Sequence, residues 1–437
     1  MPFLLRRRCR IVLKKRPVIC GFGRNVVILH STNDRNTIMK TIKELYRIGL
    51  GPSSSHTMGP HKAAGIFASR HPDASRTEVT LYGSLAATGR GHLTDRAIED
   101  VLPGIKIVWE PRIFPPFHPN GMEFRAYSED GSLMDTWRVY SVGGGELKEE
   151  EDARHIDTRE VYDKNTMTEI LKYCEWSGKG YWEYVEESEG KDIWDYLREV
   201  WRVMKAAVER GIDAEGVLPG PLHLRRKAPQ YYIKATGYRD SLKSRGLVFA
   251  YALAVSEENA SGSQIVTAPT CGSCGVLPGV LYHLWKSKGF SEARILRALA
   301  TAGLFGNVVK HNASISGAEV GCQGEVGVAC AMASAAVSQL FGGSPAQIEY
   351  SAEMGLEHHL GMTCDPVCGL VQIPCIERNA FAAARALDSN VFSAFSDGTH
   401  RVSFDKVVDV MKQTGHDLPS LYKETAEGGL AKDFRQM

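Results

Sequence analysis

The sequence predicts an α+β N-terminal domain followed by a larger, mostly α-helical domain. Three observations carry that expectation. Between residues 39 and 150, short runs rich in Val, Ile, Tyr, Phe and Trp alternate with turns containing Pro and Gly, which is how strands read. From residue 166 onward, apolar side chains recur at three- and four-residue spacing, the helical period. At 437 residues the chain is also long enough to build more than one core.

The elements follow in order. Residues 39–45 begin like an ordinary N-terminal helix. Strands are expected at 78–82, 105–109, 122–127 and 137–142, punctuated by Pro103-Gly104, Pro115-Pro116, Asn120-Gly121 and Asp130-Gly131. Residues 122–127 with the turn at 129–132 read as one arm and turn of a hairpin. Helical spacing appears at 62–69 and around 94–100. A charged stretch from Glu146 to Arg159 ends this part, with residues 151–165 expected as a surface linker. Helices are then expected within 193–208, 243–255, 276–286, 293–305, 327–340 and 381–387.

Composition is that of an ordinary globular chain, 43% hydrophobic and 24% charged, which excludes fibrous, mostly disordered and polytopic membrane proteins. The net charge of +1 conceals an asymmetry. Residues 1–38 carry nine basic side chains against the single acid Asp34, a net +8, leaving −7 for the remainder. That basic extension could be a transit peptide or a nucleic-acid arm, but a start misplaced ahead of Met39 explains it most simply. No apolar run is long enough for a secretory core or a membrane span. Cytoplasmic residence is therefore expected, with neither a membrane nor a nucleic-acid partner.

Seven of the ten cysteines lie between 271 and 375. In a reducing compartment such clustering suggests metal binding rather than disulfides. Cys322 sits in a flexible Gly321-Cys322-Gln323-Gly324 break. Cys364 and Cys375 are flanked by Pro366 and Pro374, which favour turns or helix starts where a thiolate is stabilised. Three thiolates suit a [4Fe–4S] cluster with one open iron, able to act as a Lewis acid. Cys271-Gly272-Ser273-Cys274 with Cys364 and Cys368 would equally suit structural zinc, and spacing alone separates neither. Cys330, on an apolar helix face, reads as packing.

Two polar segments join the cysteines as candidates. Ser53, Ser54, Ser55 and Thr57 surround His56 ahead of a helix, a cradle for a carboxylate with an acid or base beside it. His92 follows a strand and a Gly-rich turn, where a lone histidine is more often structural. Lys310, Asn312, Ser314 and Ser316 precede Cys322 closely enough to line a pocket, although capping by Asn312 and Ser316 would use two of them. Lys310 could instead carry pyridoxal phosphate, but no Gly-rich phosphate loop accompanies it, and none of that cofactor is expected.

These motifs resemble the iron–sulfur L-serine dehydratases from about Met39 to Leu430. The resemblance lies in residues 51–59, 82–86 with 89–95, 140–145, 216–221, 267–270, 312–329, 357–366 and 373–379. It implies a beta-type domain (39–150) fused to a helical, cluster-bearing catalytic domain (166–437). It further implies cluster ligation by Cys322, Cys364 and Cys375, catalytic roles for His56 and His92, and an active site between the domains. The reaction implied is α,β-elimination of L-serine to pyruvate and ammonia, serving amino-acid catabolism and gluconeogenesis, in a homodimer. Some members place a cysteine near the C-terminus on the open iron. Here no cysteine follows Cys375, so water or solute is expected there.

Overall fold

The computed structural model describes residues 39–149, 160–425, 427–432 and 434, with the backbone of Ile19–Phe22 and Asn25–Ile28. The basic extension and most of the expected linker thus lie outside the described residues. The two short backbone segments, β1 (Ile19–Phe22) and β2 (Asn25–Ile28), pair as an antiparallel hairpin.

Residues 39–45 do not form the expected helix. Met39–Lys40 is a two-residue strand, β3, and Ile42–Glu44 a single 3₁₀ turn. Tertiary contacts override helix propensity here. The Glu189 carboxylate accepts from the Ile42 N–H (2.7 Å) and the Thr41 hydroxyl (2.6 Å), fixing an extended entry. Met39, Ile42, Leu45 and Tyr46 are buried in the helical core rather than against the sheet. β4 (Ile48–Leu50) then leads into α1 (Gly59–Arg70).

The sheet orders its strands as β6-β5-β7-β8-β9. β5 (Arg76–Tyr82) is followed by α2 (Gly83–Thr88) and α3 (Thr94–Glu99). β6 (Lys106–Glu110) runs parallel to β5, which requires such a crossover. β7 (Gly121–Tyr127), β8 (Leu133–Ser141) and β9 (Leu147–Lys148) continue antiparallel, so the anticipated hairpin forms between β7 and β8. Inward-facing Val79, Leu81, Met122, Phe124, Trp137 and Val139 meet Phe67 and Ala63 of α1 in a small separate core. Helix α2 goes beyond the Gly-rich turn that the sequence suggests. Gly83 takes φ +52, which turns the chain off β5 at once.

β10 (Glu160–Tyr162) pairs with β3. The helices that follow are α4 (Met167–Ser177), α5 (Tyr181–Glu189), α6 (Ile193–Asp213), α7 (Ala228–Thr236) and α8 (Asp240–Ala260). β11 (Gln264–Val266) pairs with β4 and so ties the helical half to the chain ahead of α1. Then come α9 (Val276–Lys288), α10 (Glu292–Asn312), α11 (Gly317–Val320), α12 (Val328–Leu340), α13 (Pro345–Glu357), α14 (Cys375–Ala394) and α15 (Phe404–Asp417). Helix α12 is apolar on nearly every face and is buried on nearly every face, packing on α10, α13 and α14. An α+β region followed by a mostly helical one matches the expected fold class. No helix among the described residues is long and apolar enough to cross a membrane.

Candidate active site

Where the sheet region meets the helices, the two histidines come together. Ser53 caps a π-turn (Ser54–Met58) that feeds α1, its Oγ accepting from the His56 N–H at 3.1 Å. His92 sits in the turn between α2 and α3. Two threonines bolt these segments to each other. Thr57 Oγ1 donates to the His92 carbonyl (2.7 Å) and Thr94 Oγ1 to the His56 carbonyl (2.5 Å). The imidazoles are buried and meet edge to face with centroids 4.5 Å apart. Burial holds His56 down to about 4 and His92 well below the ordinary range, so both rings are neutral at pH 7.

The hydrogen bonds assign the tautomers. Thr88 Oγ1 donates to the Ser84 carbonyl (3.0 Å), so it accepts from His92 Nδ1–H (3.3 Å). That leaves the His92 Nε2 lone pair buried and without a hydrogen-bond partner. His56 has both nitrogens engaged, Nδ1 with Ser55 Oγ at 2.9 Å and Nε2 with Ser84 Oγ at 3.4 Å.

Opposite the histidines lie the cysteines. Cys322 begins a π-turn (Gln323–Gly327), Cys364 lies in an extended loop, and Cys375 opens α14 directly after Pro374. All three are buried. The neighbouring Cys322 thiol, then burial, pushes Cys364 well up, and burial, then Cys322, does the same to Cys375. Glu325 reaches between them, its Oε2 3.8 Å from Cys322 Sγ and 4.0 Å from Cys364 Sγ, while Thr270 donates to its Oε1 at 2.8 Å. Arg378 lies beside Cys322 and Cys375, a fixed cation facing both thiols.

These residues fit an iron–sulfur cluster. Buried thiols that crowd one another and resist ionisation are groups that a metal deprotonates on binding. Space is kept beside them at Gly317, where a Cβ would stand 2.8 Å from Glu325 Oε2 and 3.1 Å from Cys364 Sγ. Two groups have ligand atoms close enough to share one ion, Cys322 and Cys364 with Glu325, and His56 and His92 with Glu424; Cys271, Cys274, Cys368 and Cys375 join neither among the described residues. Cys330 lies in α12, its Sγ 3.4 Å from the Ala382 carbonyl.

Of the remaining candidates, Ser53, Ser55 and Thr57 line the histidine side, Ser54 lies against the Cys271 thiol, and Ser316 directly precedes Gly317. The others are engaged elsewhere. Lys310 pairs with Glu146 at 3.0 Å, Asn312 donates to the carbonyls of Asn165 (2.6 Å) and Val308 (3.0 Å), and Ser314 bonds Glu319. The structure adds Ser84, Thr270, Glu325, Arg378 and Glu424. Glu325 follows Cys322 by three residues, so its place in the motif was a usable signal. Glu424 offered none. Its carboxyl lies 3.7 Å from His56 Nδ1, and burial, then Glu325 and Cys322, pushes it well above the ordinary carboxylate range. A cavity of about 370 Å³ adjoins the His92 turn, lined by Arg90, Gly91, Leu93, Cys368 and Leu370 among others.

Residues 132–431 match the serine dehydratase alpha chain family, and residues 41–106 and 99–152 match the serine dehydratase beta chain family. The chain is 42% identical to the L-serine dehydratase of Streptomyces coelicolor, over 90% of this chain and 98% of that one. It is 39% identical to L-serine dehydratase 1 of Escherichia coli, over 90% and 99%. With the L-serine dehydratase of Helicobacter pylori the identity is 34%, over 90% and 99%. The chain belongs to the serine dehydratase family, with the alpha- and beta-type regions joined in one polypeptide.

Proposed function

We propose that the protein is a lyase that converts L-serine to pyruvate and ammonia by α,β-elimination, with Cys322, Cys364 and Cys375 holding a [4Fe–4S] cluster. The observation that carries this reading is the convergence of three buried cysteines and two neutral, buried histidines on one site. A cluster with three thiolate ligands leaves one iron open, and its chemistry there is that of a Lewis acid toward a hydroxyl, a poor leaving group by itself.

The chain's own residues supply the rest. His92 Nε2 presents the unengaged lone pair and takes the Cα proton. His56, held through Ser55 and Ser84, orients the neighbouring ring. The Ser53, Ser54 and Ser55 hydroxyls and the backbone N–H groups entering α1 receive the substrate carboxylate. Loss of water leaves aminoacrylate, which tautomerises and hydrolyses to pyruvate and ammonia outside any further need of the protein.

Two finer points accompany the reading. Free thiols at all eight described cysteines suit a reducing cytoplasm. The assembly is a homodimer, supported by Phe381 and Phe392 on α14 and Phe395 just past its end, standing 70%, 57% and 90% exposed, which a second copy would cover. Light scattering tests this: a mass twice 48.1 kDa is expected, and a monomer contradicts it. The chemistry is tested by His92→Ala and His56→Ala, assayed for pyruvate from L-serine and from L-serine deuterated at Cα. Loss of turnover is expected at both positions, whereas full turnover in His92→Ala removes it as the base.

A further inference from the structure

We propose that Glu424 is a substrate-binding residue, its carboxylate receiving the α-ammonium group of the incoming amino acid. The inference rests on reading this site as an amino-acid lyase.

The charge balance of the site points to it. A zwitterionic α-amino acid brings a carboxylate and an ammonium. The serine cradle and the helix entry answer the first, and the second needs an acceptor. Two acidic side chains reach the centre. Glu325 is committed to Thr270 and lies against the thiols of Cys322 and Cys364. Glu424 lies on the histidine side, 3.7 Å from His56 Nδ1. Among the described residues, no lysine or arginine comes within ion-pair distance of its carboxyl, although the residue is only 8% exposed. A buried carboxylate without a fixed counter-cation is strongly disfavoured, and a bound ammonium would supply that counter-charge.

The backbone supports the same reading. Glu424 takes φ +59, the left-handed region that a non-glycine residue rarely enters and that tends to occur at functional sites. The residue is pinned on both sides. Its N–H donates to the Cys364 carbonyl at 2.8 Å, and its carbonyl accepts from Ser84 Oγ at 3.1 Å. The segment around it is fastened to the same cysteine loop, through Cys364 N–H to the Tyr422 carbonyl and Leu430 N–H to Asp365 Oδ2, both 2.8 Å. A strained residue is thus clamped between the cysteine loop and α2, with its acid aimed at the histidines. Packing alone would not need a carboxylate there.

The test compares two ligands that differ by the amine. On anaerobically purified holoenzyme, KM for L-serine is measured together with competitive inhibition by 3-hydroxypropanoate, which keeps the hydroxyl and carboxylate. In Glu424→Gln, KM for L-serine is expected to rise about tenfold (about 1.4 kcal/mol), while 3-hydroxypropanoate inhibits as in the wild type. Glu424→Asp, which keeps the charge on a shorter arm, should recover part of the loss. Equal weakening of both ligands, unchanged KM, or loss of iron and sulfide from both variants overturns the proposal. Failure of the underlying reading looks different, because the wild type itself then releases no pyruvate from L-serine.

Discussion

The lone pair on His92 Nε2 owes its availability to a neighbour's hydroxyl. Thr88 spends its proton on the Ser84 carbonyl, so it can only accept from Nδ1–H, and the proton-accepting nitrogen is thereby chosen. His92→Ala should lower kcat by about 10²–10⁴, the usual contribution of a general base. Thr88→Val, which frees the tautomer, should lower kcat less and leave iron content unchanged. A steady-state comparison of the two variants checks this. At the same scale, Cys330→Ala should keep both iron and activity, because that thiol packs inside α12 away from the other three. Glycines at Cys322 and prolines at Cys364 and Cys375 singled these cysteines out in the sequence, but spacing left cluster and zinc open and only the family resemblance implied the ligand set. Glu424 was not legible. A left-handed backbone and a fold-back across 60 residues bring it to Cys364, and neither leaves a periodic mark in the sequence.

Elements place these residues through a few hydrogen bonds. Thr57 accepts from the Ser53 N–H (3.1 Å) while donating to the His92 carbonyl, so it joins the π-turn before α1 to the turn before α3. Thr57→Val leaves both backbone groups buried without partners, and a loss of about 1–3 kcal/mol in unfolding free energy is expected from denaturant titration. Farther from the site, the loop ahead of α15 is held to α13 by His400, whose Nε2 lies 2.7 Å from Glu349 Oε2. The Glu349 carboxylate raises His400 to about 9, against a partial opposing effect of burial. A raised pKa means the pair stabilises fully below the ordinary histidine value of about 6.5 and fades as pH rises through about 9. The gap in thermal midpoint between wild type and His400→Gln should therefore be widest near pH 6 and narrow toward pH 10. Helix positions were read well where the apolar period was strong, as in α6 and α9. Residues 39–45 were misread because Glu189, far along the chain, supplies the hydrogen bonds that hold them extended.

On the scale of the whole molecule, two cores meet at one site. The small sheet core fixes β5 and the turns that follow it, and the large helical core fixes the cysteine loops. Residues 39–50, ahead of α1, pack into and pair with the helical half, so neither half is a freely hinged module. The two-part fold class was legible because the hydrophobic period changes from strand-like to helical along the chain. The docking of the halves was not, because β4–β11 pairing and the Glu424 contacts are long-range. Removing residues 431–437, which lie past the Leu430–Asp365 contact and contain no cysteine, should leave the visible absorption of the loaded protein unchanged.

The central claim is that Cys322, Cys364 and Cys375 hold an iron–sulfur cluster that serves the elimination of water from L-serine. Iron and acid-labile sulfide, measured on anaerobically purified protein alongside pyruvate release from L-serine, test it most directly. The account predicts about four irons and four sulfides per active chain, with both the metal and the activity lost in each Cys→Ala variant. Zinc in place of iron, or pyruvate formation by protein with bound pyridoxal phosphate and no sulfide, would contradict it.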